Sequence, residues 1–405
     1  MYQFFVDQSD PTTGLTKDRA RNYGPDSPEH TVASIAATGY ALTAYTIGVK
    51  RGWMPRAEAV ARTRCVLDTM GAQPRHAGWY YHWLNAKTGA REWNSEISTI
   101  DSALLFYGMI VARQGLNDAG LNRDIDAILA TVDYRDMMTN GGAQPDKLWI
   151  SMGFRPEQGY LEANWDSDFE NLALNVMALG WDPKMPASSW DALKRPIVRA
   201  EGLECVQGGN LFMHQMSHGY IDFKGKRDRL GFDYWVDGRN ITLMQRAYAA
   251  RNPKGKLGYD INRWGFSASD IPNGYGGGGY PAYEGGEFAD DGTIAPPSAL
   301  ASAIFTPKET LAAAEAFYRF HPGTFGRYGF PSGINATQDW RSPDAIGIDQ
   351  GQAMVNIENL RDGCVQKWFM SHPKVQLGMR RAGFRSTKET GERPLHRDLP
   401  AERPR

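Results

Sequence analysis

The sequence predicts an all-α protein whose helices close into a toroid, with long loops at one rim. Apolar residues recur at helical spacing along most of the chain, whereas signals for β-strands are few and short. The elements do not alternate as a parallel sheet requires. An open helical solenoid would show a fixed sequence period, and because none is found the closed arrangement is favoured.

The predicted helices follow from caps and apolar stripes. The Ser98-Thr99 pair is typical of a helix start, Pro55 precedes another helix, and Ile125 and Ile128 lie on one face. These signals predict about twelve helices in about six pairs. After a short N-terminal helix they cover residues 31–50, 56–70, 98–114, 122–133, 167–180, 187–199, 239–251, 297–304, 307–320, 349–370 and 373–382. Short strands are predicted at residues 80–84, 147–150 and 221–223.

Five long loops separate these helices and carry most of the tryptophan, glycine and acidic residues. Long loops in a compact domain are usually functional, so the rim that they form is predicted to carry the site. They span residues 71–97, 134–165, 200–238, 252–296 and 321–348. We expect one domain over residues 1–384. The polar segment 385–405 has no core-forming pattern and is predicted to be a disordered tail.

Composition excludes several classes of partner. The formal net charge of −1 gives no reason to expect nucleic acid, and neither a basic amphipathic nor a long apolar stretch predicts membrane binding. The three cysteines are far apart and lack the spacing of a disulfide framework or a thiolate metal site. Aromatic residues make up 12% of the chain and suit either a core or the apolar faces of sugars.

The N-terminus shows no export signal, since Met1 to Phe5 runs directly into a polar segment. The run from Tyr2 to Phe5 has the pattern of the last turns of a helix. We therefore expect the native reading frame to begin upstream, with a helical segment and an export signal. The protein would then be periplasmic or secreted, and otherwise it would be cytoplasmic.

Two acidic constellations are candidates for catalysis. The first contains Glu96 and Asp101, just before and inside a predicted helix start, where acidic residues also act as caps. The second holds Trp165 and then Asp166, Asp168 and Glu170. If a helix starts near Asp166, then Asp166 and Glu170 share one face. Crowded carboxylates raise the pKa of at least one member, as a general acid requires, although a solvated first turn would look the same.

A pair of histidines, His214 and His218, has the i, i+4 spacing that can bind zinc on a helix. No glutamate stands between them and no third ligand is evident, so hydrogen-bonding scaffold or contact with sugar hydroxyls is favoured. We expect no metal and no cofactor.

Further candidates for substrate contact lie in the downstream loops and helix starts. They are Trp264, Asp270, Tyr275, Asp290, Asp291, Asp349 and Glu358. The glycine run beside Tyr275 lacks the Lys-Ser/Thr of a phosphate loop, which argues against nucleotide binding. Nucleophilic serine or cysteine hydrolysis has no support, because no Gly-x-Ser-x-Gly elbow is found.

Taken in order, several blocks of this chain resemble the bacterial glucoamylase-like domain family, which includes the endo-β-1,2-glucanases. The resemblance covers about residues 4–384 and is carried by the blocks Ser95 to Asp101, Trp165 to Glu170, His214 to His218, Trp264 to Asp270, Asp290 to Pro296, Tyr328 to Phe330, Gly347 to Gly351 and Ile357 to Asn359.

The resemblance implies an (α/α)6 barrel that hydrolyses a β-glucan, β-1,2-linked, with inversion at an acidic cluster. It implies that Glu170 is the general acid and that Asp101 is essential, and it leaves the general base unassigned. The expected partner is an oligo- or polysaccharide bound by a monomer.

The sequence departs from the family at two rim positions. After Phe330 the usual Asp-Ala-Phe-Asn is replaced by Pro331 to Asn335, and after Trp235 the usual Glu-Asn-Ser is replaced by Val236 to Gly238. These changes bear on linkage and chain-length preference. Two alternatives therefore stay open: an exo-acting hydrolase or transglycosylase on another β-glucan, and a glycan-binding protein that no longer catalyses.

Overall fold

The computed structural model describes residues 1–139, 143, 148–167, 170–280 and 290–387. Helices dominate this part of the chain. They are α1 (Tyr2–Asp7), α2 (Ile35–Arg51), α3 (Arg56–Ala72), α4 (Thr99–Leu116), α5 (Ala119–Leu129), α6 (Leu172–Trp181), α7 (Ser188–Asp191), α8 (Leu211–Gln215), α9 (Tyr234–Arg251), α10 (Pro296–Ala301), α11 (Pro307–Phe320), α12 (Gly347–Asp362), α13 (Cys364–Ser371) and α14 (Pro373–Arg381). Short 3₁₀ turns occupy Ser217–Gly219, Ser302–Ile304 and Ala336–Gln338.

The strands are short, and those paired in sheets are antiparallel hairpins or bridges between loops. They are β1 (Arg19–Arg21), β2 (Val32–Ser34), β3 (Arg75–His76), β4 (Trp79–Tyr80), β5 (Trp83–Asn85), β6 (Ile97–Ser98), β7 (Ile150–Ser151), β8 (Gly153–Arg155), β9 (Gly159–Tyr160), β10 (Asn164–Trp165), β11 (Ile197–Ala200), β12 (Leu203–Val206), β13 (Lys226–Arg227), β14 (Ala268–Ile271), β15 (Gly274–Gly277), β16 (Ile334–Asn335), β17 (Trp340–Arg341), β18 (Asp344–Ile346) and β19 (Arg385–Ser386).

Side-chain caps fix where the central helices begin. The Ser34 hydroxyl accepts a hydrogen bond from the Ala37 amide at the start of α2, and Ser98 does the same for Asp101 at the start of α4. The predicted helix 349–370 is two helices, because Gly363 takes a left-handed φ of 70° between α12 and α13.

Close backbone contacts hold two pairs of helices together. Helix α2 crosses α4 at Gly39 and Gly108, where an added Cβ on either glycine would overlap the backbone of the other helix. Helix α6 crosses α14 at Gly180 and Gly378 in the same way. Glycine is required at these four positions because no side chain fits between the backbones.

The core fills the space between the helices. Trp79 and Trp190 are completely buried in the larger cluster, and Trp264 is completely buried in a smaller one that lies against α9, α10 and α12. No helix in the described ranges is both long and apolar enough to cross a membrane.

Several sequence predictions about local structure were wrong. The helix predicted at 167–180 begins only at Leu172, after an Asn171 N-cap, so Asp166 and Glu170 do not share a helix face. The helix predicted at 187–199 is limited to α7, because residues 197–200 pair with 203–206 as a hairpin. Residues 221–223 form no strand.

The C-terminal segment is ordered slightly further than predicted. Arg385 and Ser386 pair with Arg227 and Lys226 as β19 and β13. Residues 388–405 of the predicted tail lie outside the described residues, as do Lys147 of the strand predicted at 147–150 and Asp168 of the second acidic constellation.

Candidate active site

A cavity of about 740 Å³ opens at the end of the molecule where helices α2, α4 and α12 begin. Its walls combine acidic and aromatic side chains from the rim loops with apolar side chains from the helix starts. The lining residues are Asp18, Arg19, Glu29, His30, Val32, Ser34, His82, Trp83, Trp93, Glu96, Ser98, Ile100, Asp101, Leu104, Met152, Leu161, Trp165, Glu170, Phe212, Met216, Tyr275, Ile346 and Ile348. An apolar cleft with a few convergent polar groups is the usual form of a small-molecule or glycan site.

Glu170 lies in the turn just before α6 and forms part of the cavity wall. Burial, and then the nearby charge of Asp101, raise the pKa of Glu170 from 4.5 to about 8. The Ser217 hydroxyl holds this turn in place, because it donates a hydrogen bond of 2.7 Å to the Glu170 carbonyl oxygen. Glu170 is therefore a carboxylic acid that keeps its proton near neutral pH while its side chain reaches the cavity.

Asp101 sits in the first turn of α4, almost completely buried, with a defined partner on each carboxylate oxygen. The Ser98 hydroxyl donates to Oδ2 over 2.6 Å, and His82 Nε2 lies 3.4 Å from Oδ1. The other ring nitrogen of His82, Nδ1, lies 2.9 Å from Oε1 of Glu96. One imidazole thus bridges the two acidic residues of the first constellation.

The contacts of His82 shift the pKa of His82 itself and of Glu96. Burial lowers the pKa of His82, but the charges of Asp101 and Glu96 outweigh burial and the pKa is raised. The hydrogen bond from His82 lowers the pKa of Glu96 to about 2, and Arg155 adds a second cation 3.6 Å away. The cavity is therefore lined by Glu96 as a carboxylate and by Glu170 as a neutral acid, so that two carboxyl groups carry opposite protonation states at one pH.

A second group of charges lies at the other side of the cavity. Arg19 Nη1 is 3.1 Å from Asp270 Oδ1, and the Ser342 hydroxyl donates to Asp270 over 2.6 Å. Arg19 and Tyr275 line both the main cavity and an adjoining one of about 350 Å³. Tyr275 stands directly opposite Asp270 in the β14–β15 hairpin and borders both spaces.

Asp349 is buried in the first turn of α12, behind Ile346 and Ile348 of the cavity wall. Its Oδ2 accepts a hydrogen bond from Ser332 over 2.9 Å. Burial raises the pKa of Asp349 to about 8, although the Ser332 hydrogen bond acts in the opposite direction. The molecule therefore contains a second buried carboxyl group that holds its proton near neutrality.

The structure brings together five of the residues singled out from the sequence. Glu96, Asp101, Trp165, Glu170 and Tyr275 all line the main cavity. Trp165 is fixed there by a hydrogen bond of 3.0 Å from its indole nitrogen to the Thr99 hydroxyl. Asp270 lines the adjoining cavity instead. Parts of the two acidic constellations, far apart in sequence, thus line one cavity.

Other predicted site residues serve packing rather than the cavity. Asp166 pairs with Lys194 at 2.8 Å and does not line the cavity, because the chain turns away before α6 begins. Glu358 is held by Arg51 and Arg361 along α12. The structure therefore does not support a catalytic role for Asp166 or substrate contact by Glu358.

The histidine pair is likewise internal. His214 contacts Asp237 Oδ2 at 3.2 Å and the Gly208 carbonyl at 3.1 Å, while His218 contacts the Tyr234 carbonyl at 3.1 Å. Burial lowers the pKa of His218 to about 3. Neither ring lines the cavity, so they act as scaffold, one of the two roles predicted.

Three further candidates also lie away from the cavity. Trp264 is completely buried, and Asp290 accepts hydrogen bonds from the hydroxyls of Tyr248 and Tyr259 over 2.8 and 2.7 Å. Asp291 accepts from the Thr293 amide over 2.8 Å. These acidic residues order the loop before α10 and do not reach the cavity.

Sequence reasoning missed several residues of the cavity. His82 and Trp83 lie in a segment interpreted only as a strand, and Asp18 and Arg19 follow α1 with no motif around them. A lone His between two aromatic residues in a long loop was the available signal for His82. Among the described residues, no group of three or more His, Cys, Asp or Glu side chains is arranged to hold a metal ion.

The fold and the site together define the class of this protein, a mainly helical one with a carboxyl-lined cleft suited to a glycan. The cavity is lined by a glutamic acid whose pKa is raised to about 8 and by a glutamate whose pKa is lowered to about 2, and glycosidic cleavage requires a pair of carboxyl groups. The chain belongs to the Glycoamylase family, described as "Putative glucoamylase", whose model matches residues 162–373.

Similar proteins are known by sequence and by structure. An exo-β-1,2-glucooligosaccharide sophorohydrolase (non-reducing end) from Parabacteroides distasonis is 25% identical over 423 residues, covering 94% of this chain and 56% of its own length. The chain thus spans little more than half of that relative.

Two solved structures match over nearly their whole length. An endo-β-1,2-glucanase from Chitinophaga pinensis, in complex with sophorotriose and glucose, is 26% identical with a TM-score of 0.86, over 95% of this chain and 96% of its own. A protein from Bacteroides fragilis titled "putative glucoamylase" is 28% identical with a TM-score of 0.85, over 95% of this chain and 94% of its own.

Proposed function

We propose that this protein hydrolyses β-1,2-linked glucan, with Glu170 as the general acid. The observation that carries the proposal is Glu170 itself, a cavity-wall carboxylic acid whose pKa is raised to about 8 by burial and by Asp101. Neutral at the pH of most cells and periplasms, it can protonate the glycosidic oxygen as the leaving group departs. The names of the similar proteins support β-1,2-glucan as the substrate.

Asp101 and Glu96 have a complementary role in this proposal. Cleavage of a glycosidic bond builds positive charge on the sugar ring, which nearby carboxylates stabilise. His82 keeps both side chains in fixed orientations. The aromatic and aliphatic walls, Trp83 and Trp165 among them, offer flat apolar surface for the faces of glucosyl rings.

A screen of reducing-sugar release tests this function. The purified protein is incubated with β-1,2-, β-1,3-, β-1,4- and β-1,6-glucans and with starch, each beside a Glu170→Gln sample. We expect release from β-1,2-glucan alone, absent in the variant. Release from another glucan would contradict the linkage. Binding of β-1,2-glucan without any release would identify a glycan-binding protein instead.

A second candidate is exo-action on oligosaccharides, because the relative from Parabacteroides distasonis is named for it. Product analysis separates the two modes. An endo-acting enzyme releases products of mixed length at early times, whereas an exo-acting one releases a single short product. The adjoining cavity favours endo-action, since it shares Arg19 and Tyr275 with the main cavity and adds room for a longer glucan.

The architecture proposed for this function is an (α/α)6 barrel in a monomeric protein. The packing of α2 on α4 and on α12, and of α10 on α12, supports such a ring. Size-exclusion chromatography with light scattering would give the mass of one chain if the protein is a monomer, and a dimer mass would contradict that part of the proposal.

A further inference from the structure

Trp93 stands at the mouth of the main cavity with most of its indole in solvent. The residue is 66% exposed and also lines the cavity. An exposed aromatic ring that borders a cleft offers a flat apolar face to a ligand. Trp93 takes no part in the catalytic arrangement described above.

The backbone places Trp93 where its side chain is disfavoured. Trp93 and Asn94 have φ values of 53° and 48°, and the Ser95 amide donates to the Glu92 carbonyl over 3.0 Å. Positive φ at both central residues is the geometry of a type I′ turn, which favours glycine, asparagine and aspartate. Asn94 suits its position, whereas a bulky tryptophan at the first central position is strained.

Hydrogen bonds from a neighbouring side chain hold the turn in this geometry. Arg91 donates from Nε to the Ser95 carbonyl over 2.7 Å and from Nη2 to the Asn94 carbonyl over 3.0 Å. Glu157 holds the same guanidinium, 2.6 Å from Nη1. Strain that the surroundings maintain in this way is typical of functional positions.

A continuous line of rings connects Trp93 to the carboxylates. The Trp93 and Trp83 rings are inclined at 62° with centroids 5.5 Å apart, and Trp83 stacks on His82 at 3.9 Å. His82 in turn contacts Glu96 and Asp101. A glucan whose scissile bond lies at the carboxylates would therefore pass over Trp93 as it leaves the cleft.

We propose that Trp93 is a platform for a distal glucosyl residue and sets a preference for longer chains. The inference rests on the proposed function, because it takes β-1,2-glucan as the occupant. The apolar face of the sugar would pack on the exposed indole, beyond the bond that is cleaved. Only substrates long enough to reach the mouth would gain from this contact.

The key variant is Trp93→Asn, which places a favoured residue in the turn while removing the ring. Kinetics are measured on β-1,2-gluco-oligosaccharides of increasing length and on the polymer. We expect kcat/KM to fall by about tenfold for the longest substrates, through KM, and to stay unchanged for the shortest that is cleaved. The melting temperature should be equal to or higher than that of the wild type.

Two further variants control this experiment. Trp93→Phe retains a ring and should recover most of the long-chain preference. Trp53→Ala removes another exposed tryptophan, 51% exposed beside Tyr2 and outside the cavity, and should leave the length dependence unchanged. An equal loss of kcat/KM at every length, or none at any length, would overturn the proposal.

A binding measurement separates this inference from the proposed function. Calorimetric titration of Glu170→Gln with long β-1,2-gluco-oligosaccharides is compared with the same titration of the double variant carrying Trp93→Asn. Weaker binding in the double variant supports the platform, and equal affinity refutes it while leaving hydrolysis by Glu170 intact. If the wild type cleaves no β-1,2-glucan, it is the proposed function that fails.

Discussion

Replacing Glu170 by glutamine tests the central claim about the site with little change in shape. With a pKa of about 8, Glu170 is roughly nine-tenths protonated at pH 7, so the variant hardly alters the charge of the cleft. The fold should therefore be retained. The amide has no acidic proton for the leaving oxygen, and the expected loss is about a hundred- to ten-thousand-fold, or about 3–5 kcal/mol of barrier.

The same raised pKa fixes the dependence on pH. A general acid must be protonated, so wild-type activity should decline as pH rises through about 8. For stability the sign follows from linkage. A carboxyl whose pKa rises from 4.5 unfolded to about 8 folded contributes stability below pH 4.5 that is lost as pH rises through 8. Glu170→Gln should then melt higher than the wild type at pH 9.

The assay is initial-rate release of reducing ends from β-1,2-glucan, with circular dichroism to check folding. Asp166→Asn is the matched control, since it removes a nearby carboxylate that is paired with Lys194 outside the cavity. If Glu170→Gln keeps more than about a tenth of wild-type turnover, the proton comes from another group and Glu170 is not the general acid.

Three more predictions follow from the geometry. Asp349→Asn should flatten the pH dependence of stability between about pH 4 and 8, because the pKa of the wild-type carboxyl rises from 3.8 to about 8 on folding. If the melting temperatures of the variant and the wild type change equally with pH over this range, the prediction is wrong. Asp166→Asn should retain activity within about twofold, and a loss of more than about tenfold would show that Asp166 contributes to catalysis. Exhaustive EDTA treatment should leave hydrolysis unchanged, whereas loss restored by zinc or calcium would reveal a required metal.

The helices were predictable where caps and apolar stripes act locally. Thr99–Leu116 and Pro307–Phe320 match their predicted ranges closely, since Ser98 and Pro307 mark their starts. The errors occurred where local signals conflict with tertiary pairing. Residues 197–200 have enough apolar character for a helix, yet they pair with 203–206 across a tight turn.

The site was predictable in part. Glu96, Asp101 and Glu170 stood out because acidic residues clustered beside helix starts, and all three line the cavity. Whether a carboxylate faces the cavity depends on where the neighbouring helix begins. That helix begins at Leu172 and not near Asp166 as predicted, so Asp166 lies outside the cavity. His82, which contacts Glu96 and Asp101, shows in the sequence only as a lone histidine between two aromatic residues, because its role arises from long-range packing.

The glycine contact between α2 and α4 has a consequence for how such an enzyme can diversify. Gly39 and Gly108 bring two backbones together, so the spacing of the helix starts at Ser34 and Ser98 does not depend on any side-chain rotamer. The residues at the helix starts, at the base of the cleft, therefore keep their positions when residues in its walls change. Rim loops can exchange residues and alter what enters without resetting the geometry at Asp101.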